Sequence, residues 1–287
     1  MTLLDKRLHA YRSDLADIRL KGRVEAERFA TGKPMRVARP VLDMLAGPSR
    51  SAGLNTQLLL GASVAVLDER DGLAWVQAEA DGYVGYVEAD GLDEDDQRAP
   101  THVVAVPRTV LYGEPDMKKR RVETLSMGSR VAVVGEAETR GTRYALLASG
   151  EAIIAGHLRP LSDGASDWVA VAETLEHTPY LWGGASGFGI DCSGLVQLAM
   201  RMAGRAVPRD SDMQAADIGS AIDPGPVLAG LERGDLVFWK GHVAIVTGRD
   251  AILHANGHTM LVSRETLSGA IARIGYLYGQ PTGFRRS

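Results

Sequence analysis

The sequence predicts an α+β protein: two small β-barrels in tandem, led by a short helical segment and followed by a mixed α+β domain. Three observations predict it. A stretch beginning near residue 33 returns without gaps 67 residues later (Pro40 to Pro107). Each copy alternates β-branched residues, as in GASVAVLDE and GSRVAVVGE, between closely spaced Gly, Asp and Pro turns, the pattern of short strands in a small barrel. The final third changes to a helix-period segment followed by strand-like runs, the order of an α+β domain with antiparallel strands. At 287 residues and 45% apolar content the chain has the material for two or three cores.

Taken in order, Leu4, Leu8, Tyr11, Leu15 and Ile18 recur at spacings of four and three, so residues 1–32 read as an amphipathic helical segment that packs on a later domain. Its polar face mixes acidic and basic residues, which argues against a membrane-surface helix. The first copy occupies 33–98 and the second 99–164. Ala38 matches Ala105, Pro48 matches Pro115, Leu58 matches Leu125, Gly61 matches Gly128, and Val64-Ala65-Val66 matches Val131-Ala132-Val133. DGYVGYV fits a hairpin in the first copy. The acidic run Asp93-Glu94-Asp95-Asp96 reads as a solvated linker between the copies, and Ser162-Asp163-Gly164 as the linker after the second.

The third region spans 165–287. After Asp191, residues Leu195, Leu198, Ala199 and Met202 share one helical face, and LVFWK, HVAIVTG and AILHA then read as strands. Lys240-Gly241 and Arg249-Asp250 make polar turns between them. His242 and His254 therefore fall near strand ends, where both can face one helix terminus, and that terminus carries Cys192.

Charge excludes several function classes. Thirty-two basic against 36 acidic residues, with no long block of either sign, argue against a nucleic-acid or anionic-membrane partner. No run of about 18 apolar residues occurs, and the first residues lack the apolar stretch of a secretory signal, so the expected location is cytoplasmic. A single cysteine excludes an internal disulfide framework and any multi-thiolate metal site. His254 and His258 are four apart, but Gly257 interrupts a helix and no acidic residue follows His254, so neither a metal nor any cofactor is expected. The glycines of residues 183–189 lack the lysine of a phosphate loop and read as a flexible approach to Cys192.

Cys192 is then either a small buried apolar residue or a reactive thiol. It lies in Gly-Ile-Asp-Cys-Ser-Gly where the helical period begins, so the thiol sits on the first turn of a helix. A helix N-terminus and a nearby imidazolium both stabilise a thiolate, whose ordinary pKa is ~8.5. A Cys-His pair also needs its imidazole held in one tautomer, and His254 is placed to hold His242.

These residues resemble the NlpC/P60 cysteine peptidases. Tyr180-Leu181-Trp182-Gly183-Gly184, Asp191-Cys192-Ser193-Gly194-Leu195-Val196, Gly234-Asp235-Leu236-Val237-Phe238, Gly241-His242-Val243-Ala244-Ile245-Val246 and Ile252-Leu253-His254-Ala255 occur in the family's order and approximate spacing, covering about residues 165–285. The resemblance implies a papain-like catalytic domain that hydrolyses amide bonds of bacterial cell-wall peptides, and the repeated units resemble bacterial SH3-like modules. Two such modules, with Pro208-Arg209-Asp210-Ser211, resemble the γ-D-glutamyl-L-diamino acid endopeptidases of murein recycling. By that resemblance Cys192, His242 and His254 are catalytic. Tyr180, Trp182, Asp191, Ser193, Asp210 and Ser211 meet an L-Ala-γ-D-Glu-diamino acid peptide with a free amino terminus, and Tyr83 or Tyr86 of the first module closes one end of the cleft.

Overall fold

Residues 4–94 and 99–287 are described by a computed structural model. The chain divides into two compact units, Met1–Leu161 and Ser162–Ser287.

The first unit opens without the helix expected over residues 1–32. Leu15–Asp17 is a strand with all three residues buried, paired in parallel with Arg28–Ala30. Tertiary partners override the helical spacing here. Arg12 lies 4.3 Å over the Trp75 ring and donates to Asp14 and Asp68. Buried Asp17 accepts from the backbone and guanidinium of Arg19. Charges that read as a solvated helix face are held in directed ion pairs, and three consecutive buried residues leave no polar face for a helix.

The repeat is visible in the backbone. The strands Val41–Leu45 and Leu54–Leu59 return 67 residues later as Arg108–Tyr112 and Arg121–Ser126. The turn that follows returns as well. Leu60 and Gly61 donate through their backbone N–H to Pro40 and Val37, and Met127 and Gly128 donate to Pro107 and Val104. Gly61 and Gly128 both have positive φ (78° and 89°), which a side chain would strain. In the first copy Leu73–Ala78 and Val84–Glu88 pair as a hairpin. Tyr83 is buried beside it, and the Tyr86 hydroxyl accepts from Arg12.

Neither copy is the closed barrel that the strand pattern predicts. The first is an open seven-stranded sheet with Leu54–Leu59 and Leu92–Glu94 at its edges, and the second separates into sheets of five and three strands. The repeated turn joins the corner through individual backbone bonds where closure would need a ladder. In the second copy the strand is also interrupted at Ala132, between Arg130–Val131 and Val133–Thr139, and its register shifts between Val133 and Gly135. Of the acidic run, Asp93 and Glu94 end a strand paired with Arg36 and Met35. Asp95, Asp96 and the boundary expected at 98 lie outside the described residues.

The second unit contains helices α1 (Trp168–Glu173), α2 (Cys192–Met202), α3 (Ser211–Asp217) and α4 (Leu267–Tyr278). Its six-stranded antiparallel sheet runs in the order Ser220–Ala221, Gly283–Arg286, Asp235–Trp239, His242–Gly248, Ala251–Asn256 and Leu261–Glu265. Leu267, Ala270 and Ile274 of α4 join Val237, Trp239, Ala244, Val246 and Ile252 in one apolar cluster. Helix α2 packs against the strands His242–Gly248 and Ala251–Asn256. Ten of its residues are buried, Cys192 among them. A Cβ at Gly194 would run into the Gly184 carbonyl oxygen, so glycine lets the loop before the helix lie directly on its first turn. Among the described residues, no helix is long and apolar enough to cross a membrane.

Candidate active site

The site is organised around the first turn of α2. Asp191 is the N-cap, and its Oδ1 accepts from the Gly194 N–H at 2.7 Å. Its Oδ2 accepts from the Gly183 N–H at 3.0 Å, fixing the loop that precedes the helix. Arg209 completes the arrangement with bonds of 3.0 and 2.7 Å to the two oxygens. That guanidinium is 1% exposed and also donates to Ser193 Oγ and the Gly184 carbonyl. Such a bidentate pair keeps both charges tolerable away from water. Gln214 of α3 donates to the Ser193 carbonyl and the Pro208 carbonyl, tying α3 to the same turn.

Cys192 follows the cap as the first residue of α2 and is the chain's free cysteine. Its sulfur receives hydrogen bonds from the backbone N–H groups of Val243 and Ser193, which favour the thiolate. Burial outweighs them and, with the neighbouring Asp191 charge, pushes the thiol up to about 12. The Val243 bond anchors the start of the strand His242–Gly248 against the thiol.

His242 Nε2 lies 2.8 Å from His254 Nδ1. Burial, then the proximity of His254 and Arg273, lower His242 to about 3, so its imidazole is neutral at ordinary pH. His254 is almost wholly buried, and its Nε2 lies 2.8 Å from Glu265 Oε1, a short contact bent away from the N–H axis. Strand register explains the meeting. Ile252 pairs with Glu265 and His254 with Ser263, so Glu265 stands one diagonal step from His254 on the same face. Glu265 is also bonded by Arg273 of α4. The close His254 imidazole and the Arg273 guanidinium hold its carboxyl down at about 2.

The remaining expected residues distribute as follows. Tyr180 is half-buried, and burial, reinforced by Cys192 and Asp191, raises its phenol to about 12, so it remains an O–H donor. Trp182 is 70% exposed. Ser193 Oγ is engaged between Asp191 and Arg209. Asp210 caps α3 without a side-chain bond to that helix's amides, and Ser211 is its first residue. Both oxygens of Asp191 are filled from within the protein. Glu265, Arg273 and the clamp role of Arg209 were not anticipated from sequence.

This arrangement places a thiol at a helix start and bonds it to the strand that opens with a neutral imidazole, the kinds of group that acyl transfer through a cysteine uses. Residues 177–275 match the NlpC/P60 family, and residues 44–92 match the bacterial dipeptidyl-peptidase SH3 domain. The chain carries an NlpC/P60 hydrolase domain. Relatives of this chain include a γ-D-glutamyl-L-lysine dipeptidyl-peptidase of Bacillus cereus, 29% identical over 70% of this chain and 67% of the relative. Another is dipeptidyl-peptidase 6 of Lysinibacillus sphaericus, 28% identical over 82% of this chain and 96% of the relative. The crystal structure of an NlpC/P60 family protein from Bacillus cereus superposes with a TM-score of 0.73, covering 88% of this chain and 99% of that one at 23% identity. That likeness speaks for the fold.

Proposed function

We propose that this protein is a cysteine endopeptidase that hydrolyses the γ-D-Glu–L-diamino acid amide bond of short murein peptides with a free N-terminal L-Ala. The observation that carries the reading is Cys192 on the first turn of α2, bonded by the Val243 N–H of the strand that opens with the neutral His242, which is itself bonded to His254. Two relatives named for dipeptidyl-peptidase activity, one of them on γ-D-glutamyl-L-lysine, support the substrate class.

In this reading His242 takes the Cys192 proton as the sulfur attacks the γ-carbonyl of D-Glu, and the Cys192 N–H with the Tyr180 O–H stabilises the oxyanion. The imidazolium returns its proton to the departing amine of the diamino acid. Water, deprotonated by the same imidazole, then releases L-Ala-D-Glu and regenerates the thiol. Tyr180, Trp182, Ser193, Asp210 and Ser211 make the substrate contacts, while Asp191 acts through the helix cap and Arg209. No cofactor enters the cycle. The second repeat is a further SH3-like module, and the setting is peptide recycling in the cytoplasm, with no membrane or nucleic-acid partner.

The test is mass spectrometry of L-Ala-γ-D-Glu-meso-diaminopimelate incubated with the protein, beside its N-acetylated form and the Cys192→Ala variant. Release of diaminopimelate from the free-amine peptide alone, lost on substitution, is the expected result. Absence of cleavage of both peptides would move the assignment to an amidase, an acyltransferase or a binding module.

A further inference from the structure

The hydrogen-bond chain behind Cys192 extends beyond the two histidines, and its far end dictates where protons sit. Glu265 is ionised, so each of its oxygens can only accept a hydrogen bond. At 2.8 Å from Glu265 Oε1, His254 Nε2 must carry a hydrogen, because an imidazole lone pair facing a carboxylate oxygen at that distance would be repelled. Arg273 bonds the same oxygen, so the carboxylate is shared between the guanidinium and the imidazole N–H. With that hydrogen on Nε2, the imidazole form of His254 presents a bare Nδ1. That atom lies 2.8 Å from His242 Nε2, which must then be the donor. A neutral His242 protonated on Nε2 has its lone pair on Nδ1, the nitrogen left to receive the thiol proton.

We propose that Glu265, balanced by Arg273, is a positioning residue that fixes the tautomers of His254 and His242 in series and so keeps His242 Nδ1 basic toward Cys192. The titratable groups that face His242 in this chain are His254, Glu265 and Arg273. Removing either member of the outer pair has a defined consequence. In Glu265→Gln the amide offers a donor or an acceptor, so His254 takes both tautomers and His242 acquires a population protonated on Nδ1. In Arg273→Met the uncompensated carboxylate recruits a proton to His254, whose Nδ1–H then donates to His242 and reverses its tautomer.

This inference rests on the reading of Cys192 and His242 as nucleophile and base, and its test keeps the two apart. Histidine side-chain nitrogen NMR on the full-length protein reports each tautomer without substrate. Kinetics on the γ-D-Glu peptide reports the consequence. The expected spectra show His242 protonated on Nε2 in the native protein and mixed in Glu265→Gln. The expected kinetics show kcat falling about tenfold to a hundredfold with KM unchanged, part of the roughly 10²–10⁴-fold that a positioned base supplies. Arg273→Met supplies the second variant should Glu265→Gln fold poorly, as judged by its thermal unfolding. Native tautomers and native kcat in both substitutions would overturn the proposal. Native protein that cleaves no peptide, while Glu265→Gln still shifts the His242 tautomer, would leave the proton chain intact and remove the endopeptidase reading.

Discussion

At Cys192 two influences oppose each other. Amide donors at the start of α2 favour a thiolate, while burial and the Asp191 charge favour the thiol, and burial prevails. Burial likewise biases His242 toward its neutral form. The resting thiol and imidazole are therefore uncharged, and in the proposed reaction attack requires proton transfer from sulfur to His242 Nδ1. The pH dependence follows. His242 must be unprotonated to act, and its pKa is lowered from 6.5 to about 3, so the acid limb of kcat/KM lies below the ordinary imidazole range. A profile measured down to pH 4 should stay near its neutral value well below 6.5; half-loss at 6.5 would contradict the assignment. The placement of Cys192 and His242 was legible in sequence, because the lone cysteine sits at a helix start and His242 opens a strand; His254 lies inside the strand Ala251–Asn256 rather than near the end that the pattern predicts. Glu265 and Arg273 were not legible. Ser263-Arg264-Glu265 reads as a solvated strand end, and Glu265 reaches His254 through a register that no local pattern records.

At the scale of elements, the buried Arg209–Asp191 pair joins three pieces of chain: the Gly183-Gly184 loop, the first turn of α2, and the segment leading into α3. Arg209→Met would remove one charge and leave the Asp191 carboxylate buried without its partner. Such a change costs about 3–5 kcal/mol, far above a typical N-cap contribution of about 1 kcal/mol. Urea unfolding followed by tryptophan fluorescence should show a loss in that range, and a change under about 1 kcal/mol would mean that water or another cation replaces the guanidinium. Element prediction from sequence succeeded for α2 and the strands that carry the histidines, where apolar period and polar turns agree. It failed for residues 1–32, where Arg12 and Asp17 have tertiary partners that helical spacing cannot reveal. It also missed α4, whose Gly269 and Gly275 weaken local helix propensity while Leu267, Ala270 and Ile274 stabilise it by packing.

For the whole molecule, the 67-residue repeat foretold the order of strands and even the recurrent glycine turn, because both are set by short-range patterns. The closure that the strand pattern predicts is not found, since closure depends on pairing between strands distant in sequence, and in the second copy the strand is interrupted at Ala132. The chain thus combines a repeated β unit with an NlpC/P60 unit whose central claim is covalent catalysis by Cys192. Intact-protein and peptide mass spectrometry of an acid-quenched reaction with L-Ala-γ-D-Glu-meso-diaminopimelate tests that claim most directly. An L-Ala-γ-D-Glu acyl adduct on the Cys192 peptide, absent from Cys192→Ala, is the predicted result. Turnover that persists in Cys192→Ala without any adduct would contradict it.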